Sequence, residues 1–127
     1  MHFFGKIIRG RGAGRQLNFP TFNFEIPENL PAGGQGFKLA EGVHVARISW
    51  DLKTFPAILF FGRRETFDDK KALEVHILDE KILEAPESAK VEVLKKIRDV
   101  RKFASKEELK KQIAADCQKA REILGVK

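Results

Sequence analysis

Six segments of this chain, at 3–9, 21–24, 43–50, 55–62, 73–79 and 90–96, read as β-strands, and only the last stretch changes to a helical period. Runs of short strands closed off by one helix leave few solutions. The one expected here is a closed or nearly closed antiparallel barrel with the helix packed across it, folded as a single domain over residues 1–127. Asp51-Leu52-Lys53-Thr54 reads as a hairpin turn, and Pro56 marks an edge or a strand start, since proline has no N–H for a ladder. Residues 27–36, with two prolines and three glycines, read as a loop. At the end of the chain, Ser105-Lys106-Glu107-Glu108 is a capping box. Leu109, Ile113, Cys117, Ala120 and Leu124 make an apolar stripe, and Gly125 is placed to stop the helix.

A chain of 127 residues can bury a core without staples, and its eleven phenylalanines against no tyrosine make that core dry. Phe3, Phe4, Phe60 and Phe61 fall in apolar runs and are expected inside. One cysteine excludes an intrachain disulfide and a cysteine zinc cluster, and His2, His44 and His76 lack metal-ligand spacing. No run of about 18 apolar residues offers a membrane span, so a soluble, cytoplasmic protein is expected, with no membrane partner and as a monomer. The excess of 24 basic over 18 acidic residues suits any polyanion. Its clusters are Arg9, Arg11 and Arg15, and Lys95, Lys96, Arg98, Arg101 and Lys102. A single-strand binder pairs such charge with open aromatics; with the phenylalanines assigned to the core, a nucleic-acid partner is not expected.

The first basic cluster lies in Gly10-Arg11-Gly12-Ala13-Gly14-Arg15, followed closely by Phe19-Pro20-Thr21-Phe22-Asn23. Glycines let successive N–H groups turn toward one anion, and the Arg15 guanidinium matches phosphate oxygens. The stretch lacks the Gly-Lys-Ser/Thr ending of a Walker loop, and such a stretch taken alone is more often an ordinary hairpin loop on a basic surface. In Leu73-Glu74-Val75-His76-Ile77-Leu78-Asp79 the aliphatic residues alternate with Glu74 and His76. If Leu73, Val75 and Ile77 face the core, Glu74 and His76 share the other face about 7 Å apart, given ~3.3 Å of rise per residue. A carboxylate on a rigid strand is equipped to take a proton from an attacking hydroxyl; a solvated glutamate on an edge strand has the same pattern.

Taken together, these segments resemble the riboflavin kinase family. The family's Gly-rich turn and Leu-Gly-Phe-Pro-Thr-Ala-Asn stand here as Gly10 to Arg15 and Leu17-Asn18-Phe19-Pro20-Thr21-Phe22-Asn23. Gly-Val-Tyr stands as Gly42-Val43-His44, and Gly-x-x-Pro-Thr-Phe as Gly62-Arg63-Arg64-Glu65-Thr66-Phe67. Leu-Glu-Val-His-Ile-Leu-Asp is unchanged, and a closing basic element is carried by Arg98, Lys102, Phe103, Ser105, Glu107, Glu108 and Leu109. The resemblance covers about residues 3 to 124. It implies a six-stranded, Greek-key-like antiparallel barrel with a C-terminal helix, and ATP-dependent phosphorylation of riboflavin to FMN. By the same resemblance Glu74 is the general base. Thr21 and Asn23 are Mg²⁺ ligands, and Gly10, Gly12, Gly14, Arg15, Pro20, Thr21 and Asn23 bind ATP. Arg98, Arg101 and Phe103 form the flavin loop, although Phe103 fits a hydrophobic staple for the helix equally well.

Departures from the family pattern gather on the flavin side. Asn18 and Phe22 replace small residues, and Phe22 must point away from the nucleotide. Glu65 replaces proline, Val100 stands where an acid is expected, and residues 80–89 replace the usual Asp-Leu-Tyr-Gly element. A flavin or nucleotide sensor without turnover is therefore a second reading, opposed by the joint presence of Thr21, Asn23 and Glu74. No counterpart of the adenylyltransferase domain that bacterial versions often carry is found, so FMN rather than FAD is the expected product.

Overall fold

The computed structural model describes residues 1–8, 21–26, 39–63, 71–78 and 86–125. Strands β1 (His2–Ile8), β2 (Thr21–Phe24), β3 (Gly42–Trp50), β4 (Lys53–Arg63), β5 (Lys71–Ile77) and β6 (Ser88–Arg98) precede helix α1 (Lys106–Leu124). The strands close into an antiparallel barrel in the order β1-β2-β5-β4-β3-β6. Within it β3, β4 and β5 form a meander and β6 returns to lie beside β3, which is a Greek key.

Alternation along each strand separates two apolar layers. Phe3, Phe22, Phe24, Ile48, Leu59, Phe61, Leu73, Val75, Ile77 and Val91 fill the barrel. Gly5 faces this interior because nothing larger fits: a Cβ there would lie 2.3 Å from Phe24 Cδ2. The Phe24 ring thus fills space that a β1 side chain would take, meeting Phe3 edge-on at 6.1 Å. On the outside, Val43, Val45, Ile58 and Leu78 form a second layer against Ile113, Cys117 and Ala120 of α1. The predicted helix stripe is therefore the docking face, and Cys117 is a packed residue, 1% exposed. Ser105 Oγ accepts from Glu108 N at 3.2 Å, the Glu108 carboxylate accepts from Ala104 N, and Gly125 ends the helix at φ 69°.

Two expectations change. Phe4 is not core: it falls on the outward beat of β1, between the inward Phe3 and Gly5, and is 75% exposed. The hairpin turn is only Asp51-Leu52, both with positive φ, while Lys53 and Thr54 already pair with Trp50 and Ser49. Pro56 lies within β4, but where β5 has run out: its carbonyl accepts from Leu78 N, and its own nitrogen faces that same open side. The strand has a local edge there inside an otherwise closed barrel.

His44 points inward opposite Leu59 and is 3% exposed, with Nε2 2.8 Å from the Ala40 carbonyl. Burial lowers its pKa from the usual 6.5; the Ala40 hydrogen bond opposes this and Lys96 adds to it. The unfolded chain therefore takes up the proton first. The stabilising contribution is complete above pH 6.5 and is lost as the pH falls from there through the lowered folded value. His44→Phe is expected to flatten the melting-temperature profile over that interval, and an unchanged slope would remove His44 as its source.

Candidate active site

Strand β2 is four residues long, yet its alternation sorts the critical side chains. Phe22 and Phe24 are buried inward, while Thr21 and Asn23 are half-buried on the outer wall. Phe22, the bulky departure between the two expected ligands, thus points away from them into the core and packs against Trp50 at 5.6 Å. Strand β5 divides in the same way, with Leu73, Val75 and Ile77 inward and Glu74 and His76 outward.

The β2–β5 register places Asn23 opposite Glu74 and Thr21 opposite His76. Directly opposed side chains in an antiparallel pair share a face, with Cβ atoms roughly 5 Å apart. Four polar side chains from segments some fifty residues apart in the chain are thereby gathered on one patch. Thr21 Oγ1 lies 2.8 Å from His76 Nδ1. On the far side of β5, Phe60 stands opposite Glu74 and Ile58 opposite His76, continuing into the layer under α1. On the near side, Ile8 stands opposite Asn23. Flanked in this way, Glu74 is 6% and His76 8% exposed. Glu74 is therefore neither solvated nor on an edge strand.

Arg98, at the end of β6, pairs with Val43, which pairs with Phe60. It lies on the same row of the wall as Glu74, three strands away, or roughly 15 Å at ~4.8 Å per strand. Its guanidinium grips Asp116 of α1 at 2.9 and 3.1 Å from Nε and 2.8 Å from Nη2. Gln112 donates to Asp116 at 3.0 Å and accepts from Arg101 at 3.3 Å. Both guanidiniums stack on Phe103, at 5.8 and 5.6 Å from its centroid. The three residues of the expected flavin loop are thus together, anchored by helix residues the sequence reading did not single out. Val100 packs onto the backbone of Gly62, where a Cβ would stand 2.6 Å from it. Gly10, Gly12, Gly14, Arg15 and Pro20 lie outside the described residues.

Asp116 had a legible signal. It sits at helical spacing from Ile113 and Ala120, so a carboxylate on the docking face required a cationic partner from the barrel.

Thr21 and Asn23 offer a hydroxyl and an amide oxygen, hard donors suited to Mg²⁺. Among the described residues no group of three or more His, Cys, Asp or Glu side chains is arranged to hold a metal. A cation here would be held by few protein oxygens, as is usual where Mg²⁺ shares its coordination with waters and nucleotide phosphates.

A closed antiparallel barrel with a hydroxyl, an amide, a carboxylate and an imidazole gathered on its outer wall, and a terminal helix packed on the adjoining strands, has the architecture that the sequence resemblance implies. The chain belongs to the riboflavin kinase family, whose profile matches residues 1–124. It is 34% identical over 116 residues to a bifunctional riboflavin kinase/FMN adenylyltransferase of Buchnera aphidicola, covering 88% of this chain and 35% of that protein. Its identity to the corresponding bifunctional protein of Escherichia coli K12 is 32% over 124 residues, covering 96% and 37%. The chain thus spans little more than a third of the length of these two relatives. Among solved structures, a Streptococcus pneumoniae protein described as a macrolide-efflux protein superposes with TM-score 0.75 at 28% identity, over 94% of this chain and 38% of that one. A riboflavin kinase from Trypanosoma brucei superposes with TM-score 0.62 at 23% identity, over 98% and 79%, a likeness of fold. No helix among the described residues is long and apolar enough to cross a membrane.

Proposed function

We propose that this chain transfers the γ-phosphoryl group of ATP to the terminal ribityl hydroxyl of riboflavin, giving FMN and ADP. The observation that carries the reading is the β2–β5 register, which sets Asn23 beside Glu74 and Thr21 beside His76. The ribityl oxygen attacks the γ-phosphorus, its proton passes to a Glu74 carboxylate oxygen, and the bond from phosphorus to the β,γ-bridging oxygen breaks. Thr21 and Asn23 would hold Mg²⁺, which when bound offsets charge on the phosphates. Gly10, Gly12, Gly14, Arg15 and Pro20 are assigned to the ATP phosphates by the family motif. Arg98, Arg101 and Phe103 are assigned to the flavin, and the place of Arg98 on the row of Glu74 suits a substrate whose ring and tail reach along one wall.

Incubation with Mg-ATP and riboflavin is expected to yield FMN, resolved chromatographically. No FMN with any nucleoside triphosphate and divalent metal would remove the kinase reading and leave the sensor. A nucleic-acid role has less support: Phe3, Phe22, Phe24 and Phe61 are buried, leaving Phe4 as the open aromatic among the described residues. Replacing Thr21 by Val and Asn23 by Leu is expected to raise the Mg²⁺ concentration needed for nucleotide binding by about tenfold or more, with the barrel still folded. Unchanged metal dependence would take both out of the site.

A further inference from the structure

We propose that His76 is a positioning residue for the nucleotide's metal, acting through the Thr21 hydroxyl. The inference rests on the assignment of Thr21 as a cation ligand made above. His76 stands opposite Thr21 across the β2–β5 ladder, with Ile58 on its other flank, and is almost wholly covered. An aliphatic side chain would fill a slot beside Ile58 without requiring a polar partner, whereas a buried imidazole requires one. Thr21 Oγ1, 2.8 Å from Nδ1, is one such partner.

The direction of this bond decides what Thr21 can do. A neutral imidazole with its proton on Nε2 accepts the threonine O–H at Nδ1. The hydroxyl proton then points into β5, and the oxygen's lone pairs are turned away from His76. A hydroxyl ligates a cation through those lone pairs, so an acceptor at Nδ1 presents Thr21 in ligating orientation. With no acceptor there, the hydroxyl rotates among its alternatives and aims its lone pairs at the cation only part of the time. Residues that orient metal ligands in this way typically contribute 10- to 100-fold in metal affinity. Glu74 lies two residues away on the same face, so one strand would supply both the base and the side chain that aims the opposite strand's ligand.

The test is calorimetric binding of ADP at stepped Mg²⁺ concentrations, a readout independent of turnover. His76→Phe keeps the ring volume but removes the acceptor; it is expected to raise the Mg²⁺ requirement about tenfold or more, leaving metal-free ADP binding unchanged. His76→Asn, which places an oxygen near the Nδ1 position, is expected to recover most of the loss and guards against a Phe variant that fails to fold. Nitrogen NMR of the parent at pH 8 should find Nδ1 unprotonated. Thr21→Val is run in parallel. If Thr21→Val raises the requirement while the His76 variants do not, the positioning role is overturned and the ligand assignment stands. If Thr21→Val has no effect, both fall. A protonated Nδ1 would also overturn the proposal.

Discussion

Glu74→Gln is expected to lower the turnover of riboflavin phosphorylation by about 10²- to 10⁴-fold while ATP and riboflavin bind within a few-fold of the parent. The amide has the shape of the carboxylate and keeps an acceptor toward its neighbours, but it does not take the ribityl proton. The surroundings of Glu74 sharpen the test. It is buried between Asn23 and Phe60 on the outer wall, with α1 docked on the adjoining strands, so a larger or smaller replacement would disturb packing as well as chemistry. Single-turnover kinetics with both substrates saturating isolates the chemical step. Turnover near that of the parent would show that the proton leaves by another route. A fall in melting temperature matching the fall in rate would assign Glu74 a structural role instead.

The second large effect is expected at Asp116. Asp116 is 3% exposed, and its carboxylate receives three contacts within 3.1 Å from the Arg98 guanidinium, whose side chain is itself only 20% exposed. Asp116→Ala leaves a cation against an apolar helix face, and removing one partner of such a pair costs about 3 kcal/mol. For a domain of this size that corresponds to a fall of roughly 10 °C in melting temperature. Replacing both partners, Arg98→Met with Asp116→Leu, is expected to recover most of it, because the desolvation of both charges is then avoided. The double variant should still bind riboflavin poorly if Arg98 serves the flavin. Parental affinity in a stable double variant would assign the pair to helix docking alone. Failure of the double replacement to recover stability would mean that Arg98 is held by more than Asp116.

The parts of this molecule that were legible beforehand are those governed by local periodicity. Leu73, Val75 and Ile77 announce which face of β5 is inward, and the stripe from Leu109 to Leu124 announces the docking face of α1. Ser105 and Gly125 mark the ends of that helix because caps are chosen by orphan backbone groups a few residues away. The errors fell where alternation competes with composition. Phe4 belongs to an apolar run, but a strand gives only every second residue to the core. Lys53 and Thr54 resemble turn residues, yet a two-residue turn with positive φ suffices to reverse the chain. Register between distant strands has no local signature. That Thr21 meets His76, or that Arg98 meets Asp116, follows only from the closed order of the barrel. The family motifs brought Thr21, Asn23 and Glu74 to attention, but periodicity alone did not place them side by side.

The long-range pairing of β2 has a kinetic meaning. Among the described residues the strand joins β1 through two register pairs, Ile7 with Phe24 and Ile8 with Asn23, and it joins β5 through a ladder whose partners are as much as 55 residues apart. Contacts that close so long a loop form late in folding and open early. The proposed catalytic patch straddles this seam. In mild denaturant, nucleotide binding should fade while the β3–β4–β6 sheet and its helix remain folded, and the β2 amides should exchange with solvent well before those of β3. A bound nucleotide that touches both Thr21 and the face of β5 would then act as a fastener for the barrel, so nucleotide occupancy would set how long the barrel stays closed.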